Sequence, residues 1–258
     1  MMRIRLLGTG TSQGIPVIGC DCKVCQSTDS KDKRLRTSAM LEWDDKRLVI
    51  DCGPDFRTQM LREHVKHIDA ILFTHEHADH TAGLDDIRPL YFRQNKPVPI
   101  YALERVLQNL ERRFDYIFTK ENRYPGAPEV DSQVLSPYQN FEVNGMPVQS
   151  LDIRHGELPI LGYIFDRKIA YITDAKTIPG KSMELLQGID LLVINALHHR
   201  PHKMHMNLQE SLAAIEQIQP KQAVLIHISH HMGLHRETAA RLPQNVFLGF
   251  DGMEIEIK

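Results

Sequence analysis

Three histidines and an aspartate fall within six residues of Thr74-His75-Glu76-His77-Ala78-Asp79-His80. Imidazole and carboxylate together form the donor set of Zn, Mn and Fe sites. The motif follows the apolar run Ala70-Ile71-Leu72-Phe73. If Ala70 to Thr74 is a buried strand, His75 and His77 leave its end on an extended loop. They then point the same way, because side chains alternate. Asp79 and His80 follow where the chain turns toward a helix, facing a second position. The motif therefore reads as ligands for two neighbouring metals. A histidine-rich surface loop is the alternative, but with 14 histidines in 258 residues a chance match to this spacing is rare.

Three more residues repeat one arrangement, an apolar strand pattern with a metal-competent side chain at its end. His155 follows Pro147 to Ile153, Asp174 follows Ile169 to Thr173, and His227 follows Ala223 to Ile226. Taken singly, each reads more readily as a loop or satisfied core residue than as a ligand. A sheet whose strands end at one edge would gather them. The sum is seven ligands (His75, His77, Asp79, His80, His155, Asp174 and His227), enough for two metals if Asp174 bridges them. Asp51 also ends a strand, where it either orients a metal-bound histidine from behind or caps a turn.

A second constellation is Cys20-Asp21-Cys22-Lys23-Val24-Cys25. Three thiols this close can wrap one tetrahedral Zn, and a closed site needs a fourth ligand from far away, Cys52 or a histidine. Cys52 by itself reads as a small buried apolar residue, and free surface thiols are the bland alternative for the other three. In His198-His199-Arg200-Pro201-His202-Lys203-Met204-His205, only His205 stands out. It immediately precedes a helix start, with Asn207 as N-cap and Glu210 three residues on, an exposed place from which to reach substrate. His198, His199 and His202 read as solvated, as do His64 and His67.

The elements that must position these groups are strands over Arg3 to Leu7, Ser38 to Trp43, Arg47 to Asp51, Pro97 to Tyr101, Phe141 to Val143, Leu161 to Phe165 and Ile189 to Ile194. A short helix is expected over Phe56 to His64. Apolar spacing predicts an amphipathic helix from Glu104 to Phe118, and Lys120 to Gln133 reads as a polar loop, a flap or a plain connector. Gly8-Thr9-Gly10-Thr11-Ser12-Gln13-Gly14 follows the first strand, but its third glycine comes too late for a dinucleotide fingerprint and no G-K-[ST] is present. It is a tight bend close to the site. With neither linker nor repeat apparent, residues 1–258 read as one domain.

Composition is that of a globular chain, 42% apolar and 25% charged. A formal net charge of -2 gives no global attraction to nucleic acid or anionic lipid. No apolar run approaches a membrane span or a signal peptide, so a cytoplasmic location is expected, where thiols bind metal rather than pair.

The sequence resembles the metallo-β-lactamase superfamily of metal-dependent hydrolases. The residues that carry the resemblance are Thr74 to His80, then His155, Asp174 and His227, in that order. Within it, the Gly8-Thr9-Gly10 turn with Gln13-Gly14 and Pro16, the three cysteines, His227-Ile228-Ser229-His230 and Gly249 to Ile255 are most similar to the phosphodiesterases of bacterial phosphonate breakdown. The resemblance implies an α/β (α+β) fold, a four-layer αββα sandwich with metals at the sheet edge and a small Cys-loop structural metal site. It implies His230 as fourth ligand to a structural Zn held by Cys20, Cys22 and Cys25. It also implies His205 as general acid, with Asp79 catalytic as well as ligating. His77 stands where di-iron redox members carry glutamate, which favours hydrolysis.

The expectation is thus a phosphodiesterase acting on small, cyclic phosphodiesters through a water shared by two divalent metals (Zn or Mn, with Fe allowed) and deprotonated toward hydroxide. Its partner is a small-molecule substrate, with neither nucleic acid nor membrane, and a homodimer is compatible with the sequence. An RNA-processing nuclease of the tRNA 3′-end maturase type would need clustered Lys and Arg to grip a polyanion. A thioester or lactam hydrolase of the same superfamily also competes with the phosphodiesterase, as does a non-catalytic metal-binding module.

Overall fold

The computed structural model describes residues 1–257, so Lys258, the end of the expected single unit, lies outside the described residues. The first sheet is built from β1 (Met2–Gly8), β2 (Ser38–Trp43), β3 (Lys46–Ile50), β4 (Ala70–Leu72), β5 (Val98–Leu103) and β6 (Val130–Leu135). The second comprises β7 (Asn140–Val143), β8 (Met146–His155), β9 (Leu158–Phe165), β10 (Ile169–Ile172), β11 (Leu191–Asn195), β12 (Gln222–Ile226) and β13 (Val246–Leu248). The last strand, β14 (Glu254–Ile257), returns to pair with β1. The orders are β14-β1-β2-β3-β4-β5-β6 and β13-β12-β11-β10-β9-β8-β7.

The strands read as apolar runs because both of their faces are covered. On β10, Ile169 and Tyr171 enter the layer between the sheets, whereas Ala170 and Ile172 pack outward under the helices Gly180–Leu186 and Leu208–Ile218. On β4, Ala70 and Leu72 face the inter-sheet layer and Ile71 faces the helices Phe56–Arg62 and Glu104–Arg113. Each buried Leu, Ile or Val contributes about 1.5–3 kcal/mol relative to exposure. A one-residue slip in register would exchange the two faces. The result is the expected four-layer αββα sandwich.

Two of the expected segments fold differently. The helix from Glu104 stops at Arg113, because Phe114 takes an extended φ of -131° before a second short helix, Asp115–Phe118. The stretch expected as a loop to Gln133 instead turns extended at Val130, whose strand pairs in parallel with β5 and closes one edge of the first sheet. Its polar, exposed residues are those of an edge strand, which carries no alternating apolar signal to read. Among the described residues no helix is long and apolar enough to cross a membrane.

β3 to β6 run parallel, as do β10 to β13. The Leu161 amide donates to Thr74 O (3.0 Å) and the Tyr163 hydroxyl to Phe73 O (2.6 Å). These bonds tie β9 of the second sheet to the end of β4 in the first. The carboxyl ends of strands from both sheets therefore meet at one edge, the place where open parallel sheets leave a crevice.

Candidate metal centres

At the strand ends of this edge, Asp51 (φ 61°), Asp174 (φ 55°) and His227 (φ 54°) adopt left-handed backbone. Such conformations are uncommon and cost of order 1 kcal/mol or more, so they persist where the surroundings over-determine them. Each turns the chain sharply off its strand while leaving the side chain at the sheet edge. Below them the backbones meet without side chains between them. A Cβ on Gly53 would lie 2.0 Å from Asp79 O, and one on Gly83 would lie 2.1 Å from Gly53 O. The Cys52 amide donates to His80 O across this contact (2.7 Å).

Asp51 orients histidines from behind. Its fully buried carboxylate accepts the Thr74 amide (2.8 Å), the Thr74 hydroxyl (2.8 Å) and His80 Nδ1–H (2.7 Å). With its own proton given to Asp51, the Thr74 oxygen accepts from His75 Nδ1 (2.9 Å). His155 Nδ1 donates to Met204 O (2.8 Å). In all three histidines a hydrogen bond fixes Nδ1 and turns Nε2 into the site, where His75 Nε2 lies 3.1 Å from His77 Nδ1. Burial, reinforced by His80, holds the His75 imidazole well below its ordinary range and hence neutral.

The freed atoms converge on common points. His75, His77 and His155 offer nitrogens that all lie within 4.8 Å of one another, as do the donor atoms of Asp79, His80 and His227. Between the two sets, Asp174 places Oδ2 3.2 Å from His80 Nε2 and Oδ1 3.2 Å from His227 Nε2. Yet His80 Nε2 and both His227 nitrogens are buried without a hydrogen-bond partner. Close approach without hydrogen-bond alignment is what ligands aimed at shared cations rather than at each other produce, and unpaired buried polar atoms are otherwise costly. Burial opposes charge throughout the cluster. Even so, the His227 and His80 imidazoles hold Asp174 well below the carboxylate range, and the Asp174, Asp51 and Asp79 carboxylates raise His80. The residues present fit two divalent cations. All seven expected ligands are in this cluster, with His77 on its exposed side.

His205 is also brought to the cluster, but not as an exposed side chain. Its side chain is 13% exposed, with Nδ1 3.5 Å from Asp174 Oδ1 and rings 4.6 Å from His155 and 4.9 Å from His227. Burial pushes its imidazole down to about 3, only partly opposed by Asp174. The helix it precedes, Leu208–Ile218, begins with the full capping box of Asn207 and Glu210.

The cysteine loop closes on His230. Cys20, Cys22 and Cys25 place Sγ 3.3, 3.4 and 3.5 Å from His230 Nδ1. Sulfur and nitrogen on one tetrahedral Zn are separated by about 3.5 Å, given the usual bond lengths. Cys52 is fully buried in the apolar layer outside the first sheet and is no part of this group. His227 and His230 sit three residues apart, so one segment serves both clusters. The Gly8–Gly14 bend braces it: the Ile228 amide donates to Thr9 O (2.9 Å) and the Thr11 amide to Ile228 O (3.1 Å).

Two positioning residues are not visible in the sequence pattern as read. Asn195, fully buried at the end of β11, accepts the Ala175 amide at Oδ1 (2.7 Å) and donates from Nδ2 to Ala175 O (3.0 Å). It thereby clamps the turn that carries Asp174. A signal for it exists: a polar residue ending Leu191-Leu192-Val193-Ile194, the same pattern as Asp174 and His227. Arg105 grips Glu76 through both carboxylate oxygens (3.0 and 3.1 Å), fixing the loop between His75 and His77 to the helix Glu104–Arg113. No spacing in the sequence marks that pair.

Comparison with known proteins agrees with this geometry. The family profile described as a beta-lactamase superfamily domain matches residues 46–228. An octanoyltransferase of Porphyromonas gingivalis is 43% identical over 255 residues, which is 98% of this chain and 51% of that protein. The chain thus spans about half the length of that relative. The crystal structure of a diphosphatase from the PhnP family superposes with a TM-score of 0.91 at 42% identity, covering 98% of this chain and 96% of that one. Zn2+-bound PqqB from Methylobacterium extorquens, at 18% identity and a TM-score of 0.80 over 99% of this chain and 100% of that one, shares the fold. Sequence profile, fold and strand-end donor sets agree: the chain belongs to the beta-lactamase superfamily.

Proposed function

We propose that the chain hydrolyses small phosphodiesters or diphosphates at a dinuclear centre formed by His75, His77 and His155 on one side and Asp79, His80 and His227 on the other, with Asp174 between them. The observation that carries this reading is the convergence of both donor sets on Asp174 with His205 beside it. The diphosphatase at 42% identity supports a phosphoryl substrate. Bound divalent metals, Zn or Mn with Fe allowed, supply Lewis-acid stabilisation of phosphoryl oxygens and bring a water pKa toward neutrality.

The chain's own residues do the rest. Asp51, Thr74 and the Met204 carbonyl fix which nitrogen each histidine presents, so little reorganisation remains when substrate arrives. Asp79, whose Oδ2 lies 3.2 Å from His80 Nε2 and 3.8 Å from His227 Nε2, is placed to hold a proton of the attacking water. His205 serves the leaving oxygen. Its ring is neutral in the free protein, and an anionic phosphate beside it raises its proton affinity. The proton is therefore taken up with substrate and given to the departing alkoxide or phosphate, a step worth ~10²–10⁴-fold. The Cys20, Cys22, Cys25 and His230 cluster holds a structural Zn that ties a polar loop to the segment carrying His227. The substrate is a small molecule, and the chain works as one domain in the cytoplasm.

A hydrolysis panel with defined metals tests this, using a cyclic nucleotide, a phosphoribosyl cyclic phosphate, an aryl phosphodiester, a dinucleoside diphosphate, a thioester and precursor tRNA. Turnover of at least one small phosphodiester or diphosphate is expected, with the thioester and the RNA inert. Turnover confined to thioester or RNA would overturn the proposal.

A further inference from the structure

A line of imidazoles connects the two clusters. From His227, successive ring centroids are separated by 4.9 Å to His205, 5.1 Å to His202, 5.9 Å to His198, 6.2 Å to His231 and 4.0 Å to His230. The ends of this line belong to the groups already described. Its middle members, His198, His202 and His231, belong to neither. Spacings inside the His75, His77 and His155 set provide a scale, at 4.6, 5.6 and 5.2 Å. Among the middle three, His198 stands between the others, 5.9 Å from His202 and 6.2 Å from His231, somewhat wider than that scale.

They are also available. His198 Nδ1 is buried without a hydrogen-bond partner, a condition that normally marks a group waiting for a ligand, ion or water. His202 and His231 are exposed, so their rings can change rotamer at small cost. His202 takes the Met204 amide at Nδ1 (3.2 Å), leaving Nε2 as its outward atom. The neighbouring His199, by contrast, is committed to Met232 O (2.9 Å). The two loops that carry the three rings are tied together, since the Ser229 amide donates to Leu197 O (3.0 Å), and the loop of His198 and His202 is closed on itself by the Leu208 amide donating to His198 O (2.9 Å).

We propose that His198, His202 and His231 form a third, exchangeable site for a borderline divalent cation such as Zn2+, Co2+, Ni2+ or Cu2+. Three neutral imidazoles with no carboxylate suit these ions and discriminate against Mg2+ and Ca2+. The rings must swing inward to share one ion, and ordering exposed side chains costs conformational entropy. The site is therefore weaker than either preformed cluster and gives up its metal on desalting.

The test is equilibrium dialysis of Co2+ against protein whose tight sites are already filled with Zn2+, read as metal per chain and by the visible absorption of bound Co2+. The wild-type chain should take up about one further Co2+ per chain, and Mg2+ at the same concentration should not compete. The variant H198A/H231A should bind that extra ion at least tenfold more weakly while keeping its tight Zn2+. His199→Ala, which removes a histidine outside the triad, should retain it. Circular dichroism and unchanged tight Zn2+ content establish that the variants are folded. No uptake beyond the tight sites, or equal uptake by H198A/H231A, would overturn the proposal. Because the readout is metal binding, the outcome is independent of the substrate assigned above.

Discussion

The chain holds two metal-competent clusters joined by the segment His227 to His230, and they are built on opposite principles. The Cys20, Cys22, Cys25 and His230 group has four donors from two loops, each thiol within 3.3–3.5 Å of the histidine nitrogen. Four donors saturate one tetrahedral ion and leave no room for substrate. The histidine and aspartate group has seven donors for two ions, an exposed His77 on one side and the half-buried Asp79 on another. It rests on rigid strand ends and is held from behind by hydrogen bonds of 2.7–2.9 Å. The first arrangement suits holding a loop in place; the second suits chemistry, with positions left open.

That contrast can be broken experimentally, beginning where the effect is largest. Replacing the shared carboxylate, Asp174→Ala, leaves His80 and His227 facing each other without the group between them. We expect turnover to fall by roughly 10³-fold or more, the equivalent of several kcal/mol, and metal content at this centre to drop from two to one or none. His205→Ala should cost ~10²–10⁴-fold in turnover with metal content unchanged; parallel loss of metal would make His205 a ligand. Asp51→Asn keeps the shape but breaks the charge-assisted bond to His80 Nδ1, and should weaken metal affinity about 10–100-fold, read by competition with a chelator.

At the cysteine cluster the ordering of effects reverses. Cys25→Ser should remove one metal per chain and lower Tm by roughly 5–10 °C, a few kcal/mol at about 2–4 °C each. The folded fraction should keep most of its turnover. Acid should act here in the same sense. The Cys25 amide holds the Cys22 thiol down to about 6, from an ordinary value of 9.0. Burial pushes the neighbouring Cys25 thiol the other way, up to about 11, so without metal the loop is only partly ionised at neutral pH and protons compete with metal increasingly as pH falls. Metal release on acidification, followed with a colorimetric chelator, checks this. Metal content that does not fall at all on acidification would contradict it.

What the sequence revealed follows from how each residue acts. The side chains gathered at the strand ends were legible because burial on both faces makes those strands conspicuous, and chemistry-bearing side chains at their ends are out of place there. The capping box at Asn207 and Glu210 is a local device and was equally plain. Asn195 ends an apolar strand as Asp174 and His227 do, so its position carries a signal, but its contact with Ala175, like that of Arg105 with Glu76, lies across the fold and leaves no record in the spacing. The break at Phe114 and the edge strand at Val130 were missed for a related reason. Tertiary packing overrides helical periodicity in the first case, and an exposed edge shows no alternation in the second. The depth of His205 was misjudged because its neighbours in sequence are polar, while its neighbours in space are His155, Asp174 and His227.

The central claim is that one cluster performs hydrolysis and the other holds structure. Staged chelation tests it most directly, with metals per chain and phosphodiester turnover followed in the same sample. The account predicts three tightly held metals after desalting. Turnover should vanish as the two in the histidine and aspartate centre are withdrawn, while the cysteine-bound metal and the fold remain, and it should return when two equivalents are restored. Turnover that survives removal of those two metals, or that tracks the cysteine-bound one, would contradict it.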